Sequence, residues 1–259
     1  MTSGLLLSAV TMRSCLDDPA ATFAKSRPFL ARAASQGAGL VCFSEQHATG
    51  WDPRSSAWIE SVDGSIVSGY RVLAEEYGVA IVGSFRERTE GLPLNTAVAI
   101  GPDGELLATY AKTHLFTLAG EDEAFSVGDS LTTFEYRGIK FGLAICFDLR
   151  FSYVFSKYRD HGVECMLVPA AWPCSRIGYW SLFLRSRALD NQFYVCGVNA
   201  TGTTTLGNYC GRSMIVDPLG EVLAESGAEE GVIKALVEKR LVSEVRMGMP
   251  VEASFNFAL

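Results

Sequence analysis

An α/β fold with two mixed β-sheets covered by helices is the architecture this sequence predicts, and three observations predict it. Short apolar runs of strand length alternate with stretches of helical periodicity. Paired runs joined by Gly, Pro and Asp turns follow the alternating blocks, which adds antiparallel strands to otherwise parallel sheets. The plan of the first half then recurs in the second, so two βαβ-rich halves are expected, each with helices over both faces of its sheet.

GLLLSAVTM opens as a buried strand. Asp17, Asp18 and Pro19 supply capping and first-turn chemistry for a helix that Gly37 ends and that Pro28 kinks or splits. GLVCFSE, residues 39–45, is the second strand. Beyond the loop HATGWDPRSS, Ile66, Tyr70, Leu73 and Tyr77 share one face of a helix stopped by Gly78, and VAIVGSF follows as a strand. TAVAI and LLATY flank the hairpin turn GPDGE. The second half brings TTFEY, a turn at Arg137 and Gly138, KFGLAIC, a helix near 151–160, VECMLVPAA, a helix near 179–192, and FYVCGVNA. SMIVD, PLGE and VLAES make another hairpin and GVIKALVE a last strand, while the tail through PVEASFNFAL carries no periodicity. No linker, low-complexity tract or short repeat divides the chain, so residues 1–259 are expected to form one domain with 239–259 as its tail.

Composition excludes several function classes. Nearly half of the 259 residues are apolar, enough to bury a sizeable core. With 22 Lys and Arg against 29 Asp and Glu, a net charge of −7 and no basic run, neither nucleic acid nor an anionic membrane is an expected partner. Apolar stretches fall well short of the roughly 18 residues a membrane span requires, and MTSGLLLSAV has no basic segment ahead of its apolar part, so neither anchor nor signal peptide is expected. The seven cysteines are odd in number, lack a C-x-x-C pair and sit mostly in apolar runs. Reduced thiols in a cytoplasm, rather than a disulfide framework or a metal site, are the expectation. No G-x-S-x-G elbow, G-x-G-x-x-G turn or G-x-x-x-x-G-K-[ST] loop occurs, which removes sequence support for a serine hydrolase, a dinucleotide enzyme or a P-loop NTPase.

In open α/β sheets, ligands bind at the carboxyl ends of strands. Glu45 closes GLVCFSE, Lys112 follows LLATYA and Cys146 closes KFGLAIC. Cys42, Cys165 and Cys196, inside apolar runs, read as core. Cys146 differs because Phe147 and Asp148 break its strand, which puts the thiol on a strand-to-helix turn where helix N–H groups favour a thiolate. Its base would be a histidine, from His47, His114 and the helix-end His161, or a buried carboxylate beside a lysine, which Glu45 and Lys112 could provide.

Taken together, FSEQHATGW, YAKTHLF and LAICFDLRF resemble the three catalytic segments of the nitrilase superfamily, the carbon-nitrogen hydrolases. The likeness extends to NTAVAIGPDGELLATYAKTHLF, to the Gly-Asp after Val127 and to RSRALDNQFYV; HLF, CFDLRF and WPCSR look most like the omega-amidase branch. It implies an α-β-β-α sandwich, with Glu45 as general base, Lys112 as electrostatic stabiliser and Cys146 as nucleophile. A second glutamate is implied before the Gly-Asp, and Glu121, seven residues from Gly128, matches better than Glu123. For substrate it implies the monoamide of a short dicarboxylic acid, such as 2-oxoglutaramate or 2-oxosuccinamate. Arg176 or Arg150 could hold the distal carboxylate, with Arg150 also placed to pair with Asp148, and Phe147 and Trp172 would form apolar walls. No metal or organic cofactor is implied. A homodimer is, with the apolar ASFNFAL tail at its interface. Ser44, Gln46 and His47 around the glutamate, and Tyr179 before Trp180, depart from the family's usual residues, which leaves an amidase for deaminated glutathione or N-carbamoyl substrates as an alternative. A Cys-His hydrolase using His47 or His114 is the other.

Overall fold

The structure is a computed structural model describing residues 4–251. Its elements run β1 (Gly4–Thr11), α1 (Pro19–Ser35), β2 (Leu40–Cys42), β3 (Ile59–Glu60), α2 (Ser65–Tyr77), β4 (Ala80–Glu87), β5 (Leu94–Ile100), β6 (Leu106–Ala111) and a short α3 (Glu121–Ala124). The second half continues with β7 (Thr133–Tyr136), β8 (Ile139–Leu143), α4 (Ser152–Asp160), β9 (Cys165–Ala170), α5 (Ile177–Asn191), β10 (Tyr194–Asn199), β11 (Thr201–Thr204) and β12 (Gly207–Cys210). Last come β13 (Met214–Val216), β14 (Val222–Glu225), β15 (Gly231–Glu238) and α6 (Lys239–Gly248). One sheet has the order β15-β1-β2-β4-β5-β6 with β3 paired to β4, the other β14-β13-β10-β9-β8-β7, and β11 pairs with β12.

Local chemistry explains most boundaries. Ala21 N–H donates to the Asp18 carboxylate at 2.9 Å and Pro19 takes the first helical position, so α1 starts where capping requires. Pro28 does not split that helix. Burial of Thr22, Ser26, Leu30 and Ala33 holds the turns on either side of it in line, and one lost backbone hydrogen bond is absorbed. Gly78, at φ +64°, ends α2 in the left-handed conformation that favours glycine.

Helices cover one face of each sheet, not both as the alternation suggested. Leu5, Leu7, Cys42 and Val82 of the first sheet pack in one core with Phe141, Leu143, Cys165 and Leu167 of the second. The opposite face of the first sheet, through Val41, Phe43 and Ile81, packs on Leu30, Ile66, Tyr70 and Leu73 of α1 and α2. This is the α-β-β-α sandwich. A strand buried on both faces is apolar throughout, so its sequence does not tell whether a helix or a second sheet lies over a given side.

Two further expectations are corrected. Residues 239–248 of the tail form α6, which buries Val242 and Val245; ASFNFAL lies outside the described residues. Cys174 and Cys210 form a disulfide with Cα atoms 5.3 Å apart, because a bridge between Pro173 and Tyr209 lays β12 beside the loop after β9. Cys15, Cys42, Cys146, Cys165 and Cys196 are free thiols.

The topology also gathers strand ends. β2 and β4 run parallel, β5 turns back, and β6 returns alongside, so the carboxyl ends of β2 and β6 share one edge of the first sheet. Glu45 N–H donates to Ala170 O at 3.4 Å, which places that edge against the carboxyl end of β9 in the second sheet.

Candidate active site

Three backbone devices present the site. Glu45 lies three residues beyond β2, and the next residue, Gln46, takes φ +47° and donates its N–H to Ser84 Oγ at 2.6 Å, fixing the turn. Lys112 follows β6; its N–H donates to Asn95 O at 2.9 Å, and its own C=O accepts from Gly128 N–H at 2.8 Å. A side chain at Gly128 would place Cβ 2.2 Å from Ala111 O, so the Gly-Asp after Val127 is a close-approach glycine that holds the lysine strand. Cys146, at φ +46°, opens a 3₁₀ turn, Cys146–Arg150, rather than an α-helix. Such a conformation in a non-glycine residue is a strain that the surroundings must enforce.

Asp148 enforces it. Its buried carboxylate accepts from Ile145 N–H at 2.8 Å, Tyr110 Oη at 2.8 Å, His114 N–H at 2.9 Å and Thr113 Oγ1 at 3.1 Å. One side chain thus ties the cysteine turn to the segment that carries Lys112.

Glu45, Lys112 and Glu121 form a buried ionic cluster. Lys112 Nζ donates to Glu45 Oε1 at 2.8 Å and to Glu121 Oε1 and Oε2 at 2.9 and 2.7 Å, and the side chains of all three are shut off from solvent. Ala171 N–H donates to Glu45 Oε2 at 3.0 Å, Phe116 N–H to Glu121 Oε2 at 2.7 Å, and Asn95 Nδ2 to Oε1 of both carboxylates at 2.8 and 3.1 Å. Glu121 is the glutamate brought to the lysine, whereas Glu123 is exposed on the same short helix.

Burial raises the proton affinity of Glu45, and Lys112 offsets only part of that rise. For Glu121 burial acts in the same direction, but the ammonium and the Phe116 and Asn95 donors outweigh it and hold the carboxyl below its ordinary value. Burial opposes charge on Lys112 as well, yet two carboxylates keep it firmly protonated. Burial, followed by the Glu45 charge, pushes the Cys146 thiol well above the usual range. The resting thiol is therefore protonated, which corrects the expectation of a helix-stabilised thiolate. Without an α-helix at the turn, burial decides.

Cys146 and Phe147 open on a cavity of about 380 Å³ walled by Trp51 and Trp172, with Arg150 and Arg176 also on its lining. The Phe147 N–H, beside the sulfur, donates to no group among the described residues. The Arg176 guanidinium lies 5.2 Å from the Phe116 ring centroid and that of Arg150 5.7 Å from Phe183. Arg150 does not pair with Asp148 as expected, because Asp148 is already occupied by the lysine segment. Tyr179 is exposed at the cavity rim.

The histidines stand apart from the sulfur. His47 sits on the helix side of the first sheet, bonded to Ser26 Oγ at 2.9 Å and Tyr70 Oη at 3.2 Å and stacked on Phe43, and burial lowers it to about 3. His114 meets Asp148 Oδ1 at 3.0 Å and stacks on Phe151. His161 joins Lys157 O at the end of α4. Sequence reasoning missed Asn95 and Trp51, whose indole N–H reaches Glu121 at 3.5 Å. The available signal was an asparagine opening an otherwise apolar strand, since a polar side chain that enters a core needs a partner.

The carbon-nitrogen hydrolase family model matches residues 6–247. The chain belongs to this family. It is a hydrolase acting on carbon-nitrogen bonds other than peptide bonds, and its named relatives make it an amidase of the nitrilase superfamily. It is 34% identical over 229 residues to a 2-oxoglutaramate amidase of Bacillus subtilis, covering 88% of each chain. It is 32% identical over 237 residues to the human omega-amidase NIT2, covering 86% of this chain and 85% of that one. Among solved structures, a CN-hydrolase superfamily protein of Xanthomonas campestris with an arsenic adduct in its active site superposes with TM-score 0.91 at 29% identity, covering 98% of this chain and 99% of the other.

Proposed function

We propose that this carbon-nitrogen hydrolase is an omega-amidase that releases ammonia from the terminal amide of a short dicarboxylic acid monoamide of the 2-oxoglutaramate or 2-oxosuccinamate type. The observation that carries the reading is the opening of Cys146 on a small apolar cavity, with the charges of the buried Glu45–Lys112–Glu121 cluster close enough to act on its thiol.

In this scheme Glu45, a carboxylate of raised proton affinity, takes the thiol proton as Cys146 Sγ attacks the amide carbon. The developing oxyanion meets the Phe147 N–H and the Lys112 ammonium, and each such donor contributes about 3 kcal/mol to the transition state. Protonated Glu45 gives its proton to the departing ammonia, leaving an acyl thioester, and then activates the water that cleaves it. Glu121 anchors Lys112 and keeps it charged. Phe147 and Trp172 bound the acyl chain, and Arg176, with Arg150 as the second candidate, meets the distal carboxylate. Side chains and water suffice, with no metal or cofactor.

The reading treats 1–259 as a single domain and takes the enzyme to be a cytoplasmic homodimer. Leu182 and Leu189 are exposed on α5 and give a partner subunit apolar surface to cover. Ammonia release across ω-monoamides, deaminated glutathione, N-carbamoyl compounds and nitriles tests the substrate, with short ω-monoamides expected to be fastest. Glu45→Gln should abolish most of that turnover; retained activity would remove Glu45 as the base.

A further inference from the structure

The residue that touches every member of the charged cluster is neutral. Asn95 stands opposite Lys112, one step beyond the Thr96 and Ala111 pair of the β5–β6 ladder, and its C=O accepts the Lys112 N–H at 2.9 Å. Its side-chain amide reaches Glu45 Oε1 at 2.8 Å and Glu121 Oε1 at 3.1 Å. Both neighbours are acceptors, so the group facing them is the NH₂. Its other end, Oδ1, is buried without a partner among the described residues. Its two hydrogen bonds to the carboxylates are thus the side chain's polar contacts among the described residues.

We propose that Asn95 is a positioning residue that keeps Glu45 and Glu121 both ionised beside one lysine and thereby sets the pH at which Glu45 works as a base. Two carboxylates held against one ammonium form a buried cluster with net negative charge, and such pairs ordinarily relieve it by taking up a shared proton. A proton shared in that way would occupy the base. An amide that donates one N–H to each carboxylate supplies the same hydrogen bonds as that proton while having none to lose. Lys112 cannot do this alone, because its three hydrogen bonds to the pair are already made. A serine would reach at most one carboxylate, and an aspartate would add a third.

The inference rests on the amidase reading, and its test separates the two. The acid limb of kcat/KM against pH reports ionisation of the base in the free enzyme. Losing a donor to the charged form raises the affinity of Glu45 for its proton, so in Asn95→Ala the acid limb should move up by about one pH unit, and in Asn95→Ser by roughly half that. Activity should largely recover on the alkaline side of the shifted limb. Asn95→Ala activity depressed by the same factor at every pH, with the limb unmoved, would overturn the proposal and leave Asn95 a packing residue. If Asn95→Ala does not fold, Asn95→Ser carries the same two outcomes. A parent enzyme with no amidase activity, or a fully active Glu45→Gln, would instead overturn the amidase reading.

Discussion

Replacing Lys112 with methionine keeps most of the side-chain volume and removes the cation from between two carboxylates. Lys112 Nζ makes contacts of 2.8, 2.9 and 2.7 Å with them, and none of the three side chains reaches solvent. Breaking a buried ion pair by removing one partner costs about 3–5 kcal/mol, because the remaining charge is stranded. For a chain of this size each kcal/mol lowers Tm by roughly 2–4 °C, which gives a fall of roughly 6–20 °C. The deficit should depend on pH. Without the ammonium both carboxyls bind protons more tightly in the folded than in the unfolded state, so stability falls as pH rises above the unfolded carboxylate value and through the raised folded ones. Calorimetry should therefore find a larger loss at pH 8 than at pH 6, and adding Glu121→Gln should return part of it. Turnover should fall by about 10²–10³ for one lost oxyanion donor, and further because Glu45 now holds its proton. A Tm within about 2 °C of the parent, together with turnover within about threefold, would refute the reasoning and make Lys112 dispensable.

His47 is held neutral by burial, at about 3 against an ordinary 6.5. The unfolded chain therefore binds its proton first on acidification, and stability should drop by roughly 2 kcal/mol from this residue between pH 7 and pH 5, a loss that urea unfolding should find absent in His47→Gln. His114→Ala, which removes a ring bonded to Asp148 rather than to the sulfur, should keep turnover within about tenfold of the parent; loss comparable to Glu45→Gln would favour the Cys-His mechanism. Thiol titration of the denatured, unreduced protein should count the five free cysteines and no others, and a count of seven would show that Cys174 and Cys210 are unpaired as isolated.

Glu45, Lys112 and Cys146 were legible because each interrupts an apolar run at a strand end, where a charged or reactive side chain has no packing role. Glu121 was legible only through the family resemblance, with its distance from Gly128, a glycine that close approach to Ala111 requires, choosing it over Glu123. Asn95 was not, since an asparagine at the start of a strand reads as turn chemistry until the facing carboxylates are seen. The Cys174–Cys210 pairing joins residues 36 apart through a strand contact that no spacing announces. Layer order was hidden by strands apolar on both faces. The protonation of Cys146 was hidden too, because it depends on burial and on a turn that stays 3₁₀.

The central claim, that amide cleavage runs through a thioester on Cys146, is tested most directly by trapping that species. Enzyme mixed with excess 2-oxoglutaramate and quenched in acid within one turnover should carry the acyl group, as a mass increase confined to the peptide containing Cys146. Cys146→Ala should show neither the adduct nor ammonia release. Ammonia produced at full rate with Cys146 unmodified throughout, or by Cys146→Ala itself, would contradict the account.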